Sequence, residues 1–523
     1  MSNNRLPDTV CSIPDALAYW AERTPDAPAL VIPGQPAFTY AALARRTRAI
    51  AAALYHSGVG RGGRVVVLVP DGPDLAIALL GVSAAATAIP LAANLTAAEL
   101  DSALRDLAAV AVVVGPPLTP GIHDCLTRHG LPVISLDADE DPDVLPRSGE
   151  TQRSPCGEAG PDADDIALVL RTSGTTGGAK LVPATHRWLV GEGRARRDLF
   201  GLNQHDRALV VAPLTLSLGT CVLFHSIVAG AALIIPLSSD LPTLVATIDE
   251  ARPTWMFPSA GLVELLVAYL REQPAPRRSS SLRFVRVTAA PIAVAVCEEL
   301  AQRLDAPVLN CYSATETGLV ATALPPPAMQ KSGSVGRPVQ DIRIVAADGS
   351  DAVPGEEGEI WVRAAKLSRG YLDDPPTNAA VLAPGGWFRT GDIGSLDEAG
   401  FLFLAGRLSE RINRGGAKIS PEEVDAVLLA HPAIEAAAVF AVPDARLGED
   451  IVAAVKRRGD HHPSARDIRA WLLTRLSPLK VPRRIWFVAE LPRTALGKVQ
   501  RAELCRQWLD QQERNAGPGA RDR

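Results

Sequence analysis

The chain has no C-x-x-C pair, no H-E-x-x-H and no G-x-S-x-G. Its seven cysteines (11, 125, 156, 221, 297, 311 and 505) are odd in number and scattered. That argues against a disulfide framework or a thiolate zinc site, and for reduced thiols in a cytoplasmic protein. The missing G-x-S-x-G leaves a serine-hydrolase reading without support. An excess of basic residues is also lacking: 53 Lys and Arg stand against 58 Asp and Glu, a net charge of −5. Nothing there calls for a nucleic-acid or anionic-membrane partner. The N-terminus, Met1 to Thr9, is polar and has no signal-peptide core. Two stretches, 75–98 and 208–239, lack Asp, Glu, Lys and Arg, but Gly and Pro interrupt both. They read as buried α/β elements rather than membrane spans. No internal repeat is apparent.

What is present is the composition of a globular protein: 523 residues, 47% hydrophobic and 21% charged. That length calls for two or more domains. Short apolar, β-branched runs (64–69, 109–114, 132–135, 208–212, 233–236 and 284–288) alternate with amphipathic helical segments, the pattern of α/β architecture with parallel strands. Residues 139–165 are acidic, contain Pro and Gly and have no periodicity, and read as a surface loop. The last part of the chain reads as a separate small module. Ser420-Pro421-Glu422-Glu423 predicts a helix start with Ser420 as N-cap and Glu423 completing a capping box. Strands follow at 437–442 and 484–488, with helices from about Ser464 and Arg501; the tail after Gln512 is expected to be disordered.

The densest signal is at 172–180, Thr-Ser-Gly-Thr-Thr-Gly-Gly-Ala-Lys, directly after the apolar run 166–170. Glycines let backbone N–H groups turn toward an anion and remove the Cβ that would block its approach. The hydroxyls add donors and Lys180 adds charge, so the array suits a polyphosphate. It is not a Walker loop, because Ala179 and Leu181 flank the lysine. The G-x-G-x-x-G at Gly58–Gly63 has its helix before it (43–55) and its strand after it (64–69). That order is the reverse of a dinucleotide fingerprint and reads as a helix C-cap and turn.

Further short motifs follow in order. They are Cys311-Tyr312-Ser313-Ala314-Thr315-Glu316, then Trp387-Phe388-Arg389-Thr390-Gly391-Asp392, then Gly406-Arg407. Next come Asn413-Arg414-Gly415-Gly416-Ala417-Lys418 and Pro492-Arg493-Thr494-Ala495-Leu496-Gly497-Lys498. Each is weak alone. As an ordered set they closely resemble the acyl-adenylating superfamily of acyl-CoA synthetases, adenylation domains and luciferase-like enzymes, from about Cys11 to Arg506. Free-standing acid:CoA ligases and aryl-acid adenylating enzymes are the nearest in pattern. The resemblance implies a large N-terminal domain (1–405) of several subdomains, with parallel-rich sheets flanked by helices. It also implies a small mobile α+β domain (406–523). The implied reaction is carboxylate plus ATP to acyl-AMP and pyrophosphate, then acyl transfer to a thiol.

The resemblance also implies residue roles. Thr172, Ser173, Gly174, Thr175, Thr176, Gly177 and Lys180 would hold the β- and γ-phosphates. Thr315 would contact the α-phosphate and Glu316 would hold Mg²⁺, a hard cation that suits carboxylate oxygen. Asp392 would accept from the ribose, with Arg407 donating nearby. Ala289, Ala290, Pro291 and Tyr312 would flank adenine, although a tyrosine packed in the core is the plainer reading of Tyr312. Lys498 would bridge the substrate carboxylate and the α-phosphate. Because Lys498 lies on the small domain, closure must assemble the site. Ser409, where the family usually has Asp or Lys, would be the hinge, and Gly415 and Gly416 would turn toward the thiol.

The substrate pocket is expected around Thr215, Leu216, Ser217, Leu218, Gly219, Ser259 and Ser313. The family's usual aromatic and His after the Pro-Leu turn are absent, no Asp is present for an α-ammonium, and Ser313 replaces a glycine. A short or medium, polar-substituted acid is therefore expected rather than a long acyl chain. CoA is the favoured acceptor. The alternatives are the phosphopantetheine arm of a carrier protein, an amine, or a degenerate nucleotide-binding protein without turnover.

Overall fold

The computed structural model describes residues 5–136, 147–148, 160–173, 179–273, 281–290, 292–363, 366–367, 370–459, 461–494 and 497–516. Two large sheets form its framework. In the first, Val133–Ser135, Ala111–Val114, Arg64–Leu68, Thr87–Pro90 and Ile166–Ser173 lie side by side and parallel. Ala179–Thr185 closes the edge antiparallel, with Thr172 opposite Lys180. In the second, Pro28–Val31, Ala232–Ile234, Arg207–Leu209, Trp255–Met256, Phe284–Val287 and Val308–Ala314 are parallel in that order. Gly318–Thr322 then returns antiparallel beside Val308–Ala314. All the apolar runs expected as strands are strands, because helices cover both faces and leave little place for polar side chains.

Helices Tyr40–His56, Pro73–Ser83 and Ser217–Ala229 contribute to one core with Val65 and Val67 of the first sheet and Val210 and Leu233 of the second. Each fully buried aliphatic side chain there is worth about 1.5–3 kcal/mol over an exposed one. This packing explains the two charge-free stretches. Among the described residues, no helix is long and apolar enough to cross a membrane. The glycine-rich turn at 58–63 joins helix Tyr40–His56 to strand Arg64–Leu68, with Gly58 and Gly62 at φ +71° and +77°, as a helix end and turn require. Helix His186–Phe200 packs closely on Ser217–Ala229. A Cβ on Gly193 would lie 2.6 Å from Cβ of Val228, so only glycine permits this approach.

A third, antiparallel sheet contains Ile342–Val345, Gly358–Arg363, Trp387–Leu396 and Leu402–Arg407. Its last strand runs through the expected boundary at 405/406 and places Arg407 opposite Asp392. After the 3-10 turn Leu408–Glu410, the next strand, Ile412–Arg414, belongs to a different sheet. That sheet also holds Ala417–Ile419, Ile434–Asp444, Gly448–Arg457 and Arg484–Phe487. Helices Pro421–Leu429 and Ala465–Leu473 cover one face, and Arg501–Ala516 packs Leu504 and Trp508 on the other.

Two local expectations fail here. The capping box at Ser420 does not form. The Ser420 hydroxyl donates instead to the Ala405 carbonyl (3.0 Å) and the Glu422 carboxylate (2.9 Å), and Glu423 accepts from Lys480. The chain after Gln512 is not uniformly disordered, since helix Arg501–Ala516 continues beyond it. Most of the expected 139–165 loop lies outside the described residues.

Candidate active site

The glycine-rich loop leaves the first sheet at its hairpin edge. Gly174, Thr175, Thr176 and Gly177 lie outside the described residues, as does Pro291. Lys180, on the return strand, places Nζ 5.1 Å from the centroid of the Tyr371 ring. The Tyr371 hydroxyl donates to Oε1 of Glu316 at 2.9 Å. One aromatic side chain therefore links the loop's lysine to the expected metal carboxylate. Thr315 and Glu316 follow strand Val308–Ala314 in a tight turn, and the Thr315 carbonyl accepts from Lys366 Nζ at 2.6 Å. Lys366 is buried 4.3 Å above the Trp188 ring, and burial lowers its pKa.

Asp392 sits mid-strand in the third sheet. Tyr312 donates to its Oδ2 at 2.5 Å, and Arg407 Nε donates to Oδ1 at 2.8 Å. Both contacts orient the carboxylate. The Tyr312 ring itself belongs to a packed core cluster, and burial followed by the Asp392 charge pushes its pKa well up, so the phenol stays protonated. Ala289 has φ +79°, a left-handed conformation uncommon for a residue with a side chain. It follows strand Phe284–Val287, and Ala290 comes next.

Beside these groups lies a cavity of about 100 Å³, lined by Ser217, Leu218, Ser313, Thr315 and Ala289 among others. Thr215, Leu216, Gly219 and Ser259 are not among its lining residues. Gly219 instead makes a backbone crossing, where a Cβ would lie 2.3 Å from the Pro213 carbonyl oxygen. Ser259 caps helix Ala260–Arg271, accepting from Leu262 N. The lining also contains ionisable side chains that no motif marked: Glu192, Arg196, His225 and Arg286. Arg196 is 2% exposed and pairs with Glu192 one helical turn away at 2.5 Å. Arg286, also 2% exposed, lies 4.1 Å from the Phe257 ring centroid and 4.5 Å from that of Phe200.

Among the described residues, Arg493 and Gly497 bring the C-terminal part to this region. A Cβ on Gly261 would lie 2.7 Å from Cα of Gly497, and Arg493 pairs with Glu264 at 3.6 Å. Gly261 is in the first turn of helix Ala260–Arg271, whose Ala260 N donates to the Thr288 carbonyl next to Ala289. Gly497, next to Lys498, thus packs on a helix that is bonded to Thr288 of the cavity wall. Lys498 Nζ lies 3.4 Å from Oε1 of Glu410, and Arg501 Nε donates to Oε2 of the same carboxylate at 3.0 Å. Burial alone would raise Glu410; Lys498 and Arg501 outweigh it and hold the carboxyl below its usual range. Ser409 precedes Glu410 in the turn Leu408–Glu410. Gly415 and Gly416 form the tight turn between Ile412–Arg414 and Ala417–Ile419, with φ +59° and +91°.

The family description "AMP-binding enzyme" matches residues 17–372, and "AMP-binding enzyme C-terminal domain" matches residues 423–498. The chain belongs to the AMP-binding enzyme family. An oxalate–CoA ligase from Arabidopsis thaliana is 33% identical over 501 residues, covering 94% of this chain and 97% of that one. A sulfoacetate–CoA ligase from Cupriavidus necator is 31% identical over 511 residues, covering 96% and 99%. Among solved structures, o-succinylbenzoate CoA synthetase from Bacillus subtilis superimposes with a TM-score of 0.80 at 27% identity, covering 94% of this chain and 98% of that one.

In this AMP-binding enzyme the residues that sequence reasoning missed left faint signals. Arg286 is the lone charge in the buried strand Phe-Val-Arg-Val. His225 is the lone basic side chain of a largely buried, apolar helix. Tyr371 and Lys366 belong to none of the recognised motifs.

Proposed function

We propose that this enzyme activates a carboxylic acid with ATP and ligates it to CoA. The acid's carboxylate oxygen attacks the α-phosphorus while the bond from that phosphorus to the pyrophosphate oxygen breaks. Acyl-AMP and pyrophosphate result. The CoA thiol then gives up its proton and its sulfur attacks the acyl carbon. The bond from that carbon to the AMP oxygen breaks, leaving acyl-CoA and AMP.

The observation that carries this reading is the close approach of Gly497, next to Lys498, to Gly261, in the helix whose Ala260 N donates to Thr288 of the cavity wall. Family membership and similarity to CoA ligases over nearly the whole chain agree with it. Lys498 leaves Glu410 and spans the carboxylate and the α-phosphate, stabilising charge as it develops. Thr315 contacts the α-phosphate. Asp392, held by Tyr312 and Arg407, accepts from the ribose. Residues Thr172 to Lys180 hold the outer phosphates. Glu316 suits Mg²⁺, because a carboxylate that takes one hydroxyl on Oε1 keeps acceptor capacity on its other oxygen. Bound there, the ion would neutralise phosphate charge.

Residues through Arg407 act as one unit, and those after Ser409 rotate to bring Gly415 and Gly416 toward the thiol. The scattered cysteines and the use of ATP and CoA support a cytoplasmic reaction. The test is acid-dependent ATP–pyrophosphate exchange, followed by detection of a CoA thioester. Exchange without a thioester would leave adenylation standing and remove CoA as the acceptor. Absence of both would end the reading.

A further inference from the structure

The cavity next to Thr315 carries more positive charge than the chain itself neutralises. Arg196 has Glu192 as its partner. Among the described residues Arg286 forms no ion pair with a carboxylate; the ionisable groups that act on it most are the thiols of Cys311 and Cys221 and the like-charged Arg196. Burial raises both thiols, so they are neutral at physiological pH. Burial, with the two arginines, holds His225 well below the usual imidazole value, so it too is neutral. Among the described residues, the lining therefore carries one guanidinium charge without a paired counter-charge.

Hydrogen bonding tells the same story. Nε of Arg286, Nε of Arg196 and Nδ1 of His225 are buried without hydrogen-bond partners. The rings of Phe200 and Phe257 fix the Arg286 plane and attract its charge, but they accept no N–H bond in the plane of the fork. Leaving a buried charge uncompensated is costly, so a ligand that brings an anion gains what the fold lacks. Size sharpens the class. At about 100 Å³, the space is smaller than the ~150 Å³ cavity that holds a benzene ring. A space of that size suits a short acid better than a long or aryl one.

We infer that this cavity is an anion-recognition pocket, and that the acid activated here is short and carries a second anionic group, carboxylate or sulfonate, at the end remote from the reacting carboxylate. The inference rests on the acid–CoA ligase reading of the same cleft. The reacting carboxylate lies toward Thr315. The remote anion lies against Arg286 with His225 beside it, and a bidentate guanidinium contact sets its orientation.

The test uses the full-length enzyme and pyrophosphate exchange. Two- to four-carbon dicarboxylates and sulfonated acids are run against their neutral amide isosteres and against saturated monoacids from two to twelve carbons. The wild type should favour a dianion over its isostere by about 100-fold in kcat/KM, the scale of a buried charge left unpaired. The carboxylate and sulfonate arms identify which anion fits, and preference for either supports the inference. Arg286→Met should lower the dianion's kcat/KM by about 100-fold and erase its advantage, while Arg286→Lys, which keeps the charge, should restore part of it. Preference for a neutral or long-chain acid would overturn the pocket assignment while leaving adenylation intact. A dianion preference that survives in a folded, ATP-binding Arg286→Met would also overturn it. Exchange with no acid at all would overturn both readings. The wild-type comparison decides the matter alone if the variants do not fold.

Discussion

The protein holds two cations, Arg286 of the cavity lining and Lys498 of the C-terminal part, in opposite ways. Arg286 is 2% exposed, flanked by two aromatic rings, on a central strand of a parallel sheet. Lys498 is on a loop of the C-terminal part; its side chain is 42% exposed and pairs with Glu410, itself next to Ser409. A group that recognises substrate gains from being fixed before binding, because no ordering cost remains. A group that must act in one half-reaction and withdraw for the next gains from exposure and an exchangeable partner.

The largest break in this comparison is Lys498→Ala. Adenylation should fall by about 1,000-fold, the scale of a removed preorganised donor, while equilibrium ATP binding changes little. Stopped-flow acyl-AMP formation and nucleotide titration measure the two, and a near-wild-type rate would remove Lys498 from the chemistry.

Gly261→Ala probes delivery rather than chemistry. The new Cβ would lie 2.7 Å from Cα of Gly497, and overpacking of that kind costs about 1–3 kcal/mol. Adenylation should drop roughly tenfold with thermal stability nearly unchanged. An unaffected rate would mean that this docking is not the productive one.

Ser409→Pro restricts the turn between the two parts. Thiol transfer should suffer more than adenylation, by at least about tenfold, or 1.4 kcal/mol of barrier. Equal loss in both half-reactions would show that Ser409 is not the pivot.

The smallest effect contrasts the two parts through pH. Buried His186 is lowered by burial to about 4. Its contribution is fully present above pH 6.5 and is lost as pH falls toward 4. Asp425, close to Glu422 and bound to Arg501 at 2.8 Å, is raised by burial to about 7. Its contribution is present below its ordinary value near pH 4 and is lost as pH rises through 7. Denaturant unfolding at pH 5 and pH 8 should therefore show opposite trends. Relative to wild type, His186→Gln should gain at the lower pH and Asp425→Asn at the higher, each by about 1–2 kcal/mol. Trends of the same sign would contradict the assignments.

Much of this was legible along the chain because it is local. The parallel strands announce themselves as β-branched runs, and Thr315, Glu316, Asp392, Arg407 and Lys498 sit in short ordered motifs. What escaped is long-range. Arg196, His225 and Arg286 come from two helices and a strand and meet only when the sheets pack. Tyr371 joins Lys180 to Glu316 although no motif contains it. Ser420 had the right neighbours for a capping box, but the Ala405 carbonyl, which only the fold brings close, takes its hydroxyl.

The central claim is that one divided cleft converts an acid, ATP and CoA into a thioester through an adenylate. The most direct measurement is product analysis of wild-type enzyme with ATP, Mg²⁺, CoA and each short dianionic acid. The account predicts AMP, pyrophosphate and acyl-CoA in equal amounts. ADP and phosphate, or nucleotide cleavage independent of the acid, would contradict it.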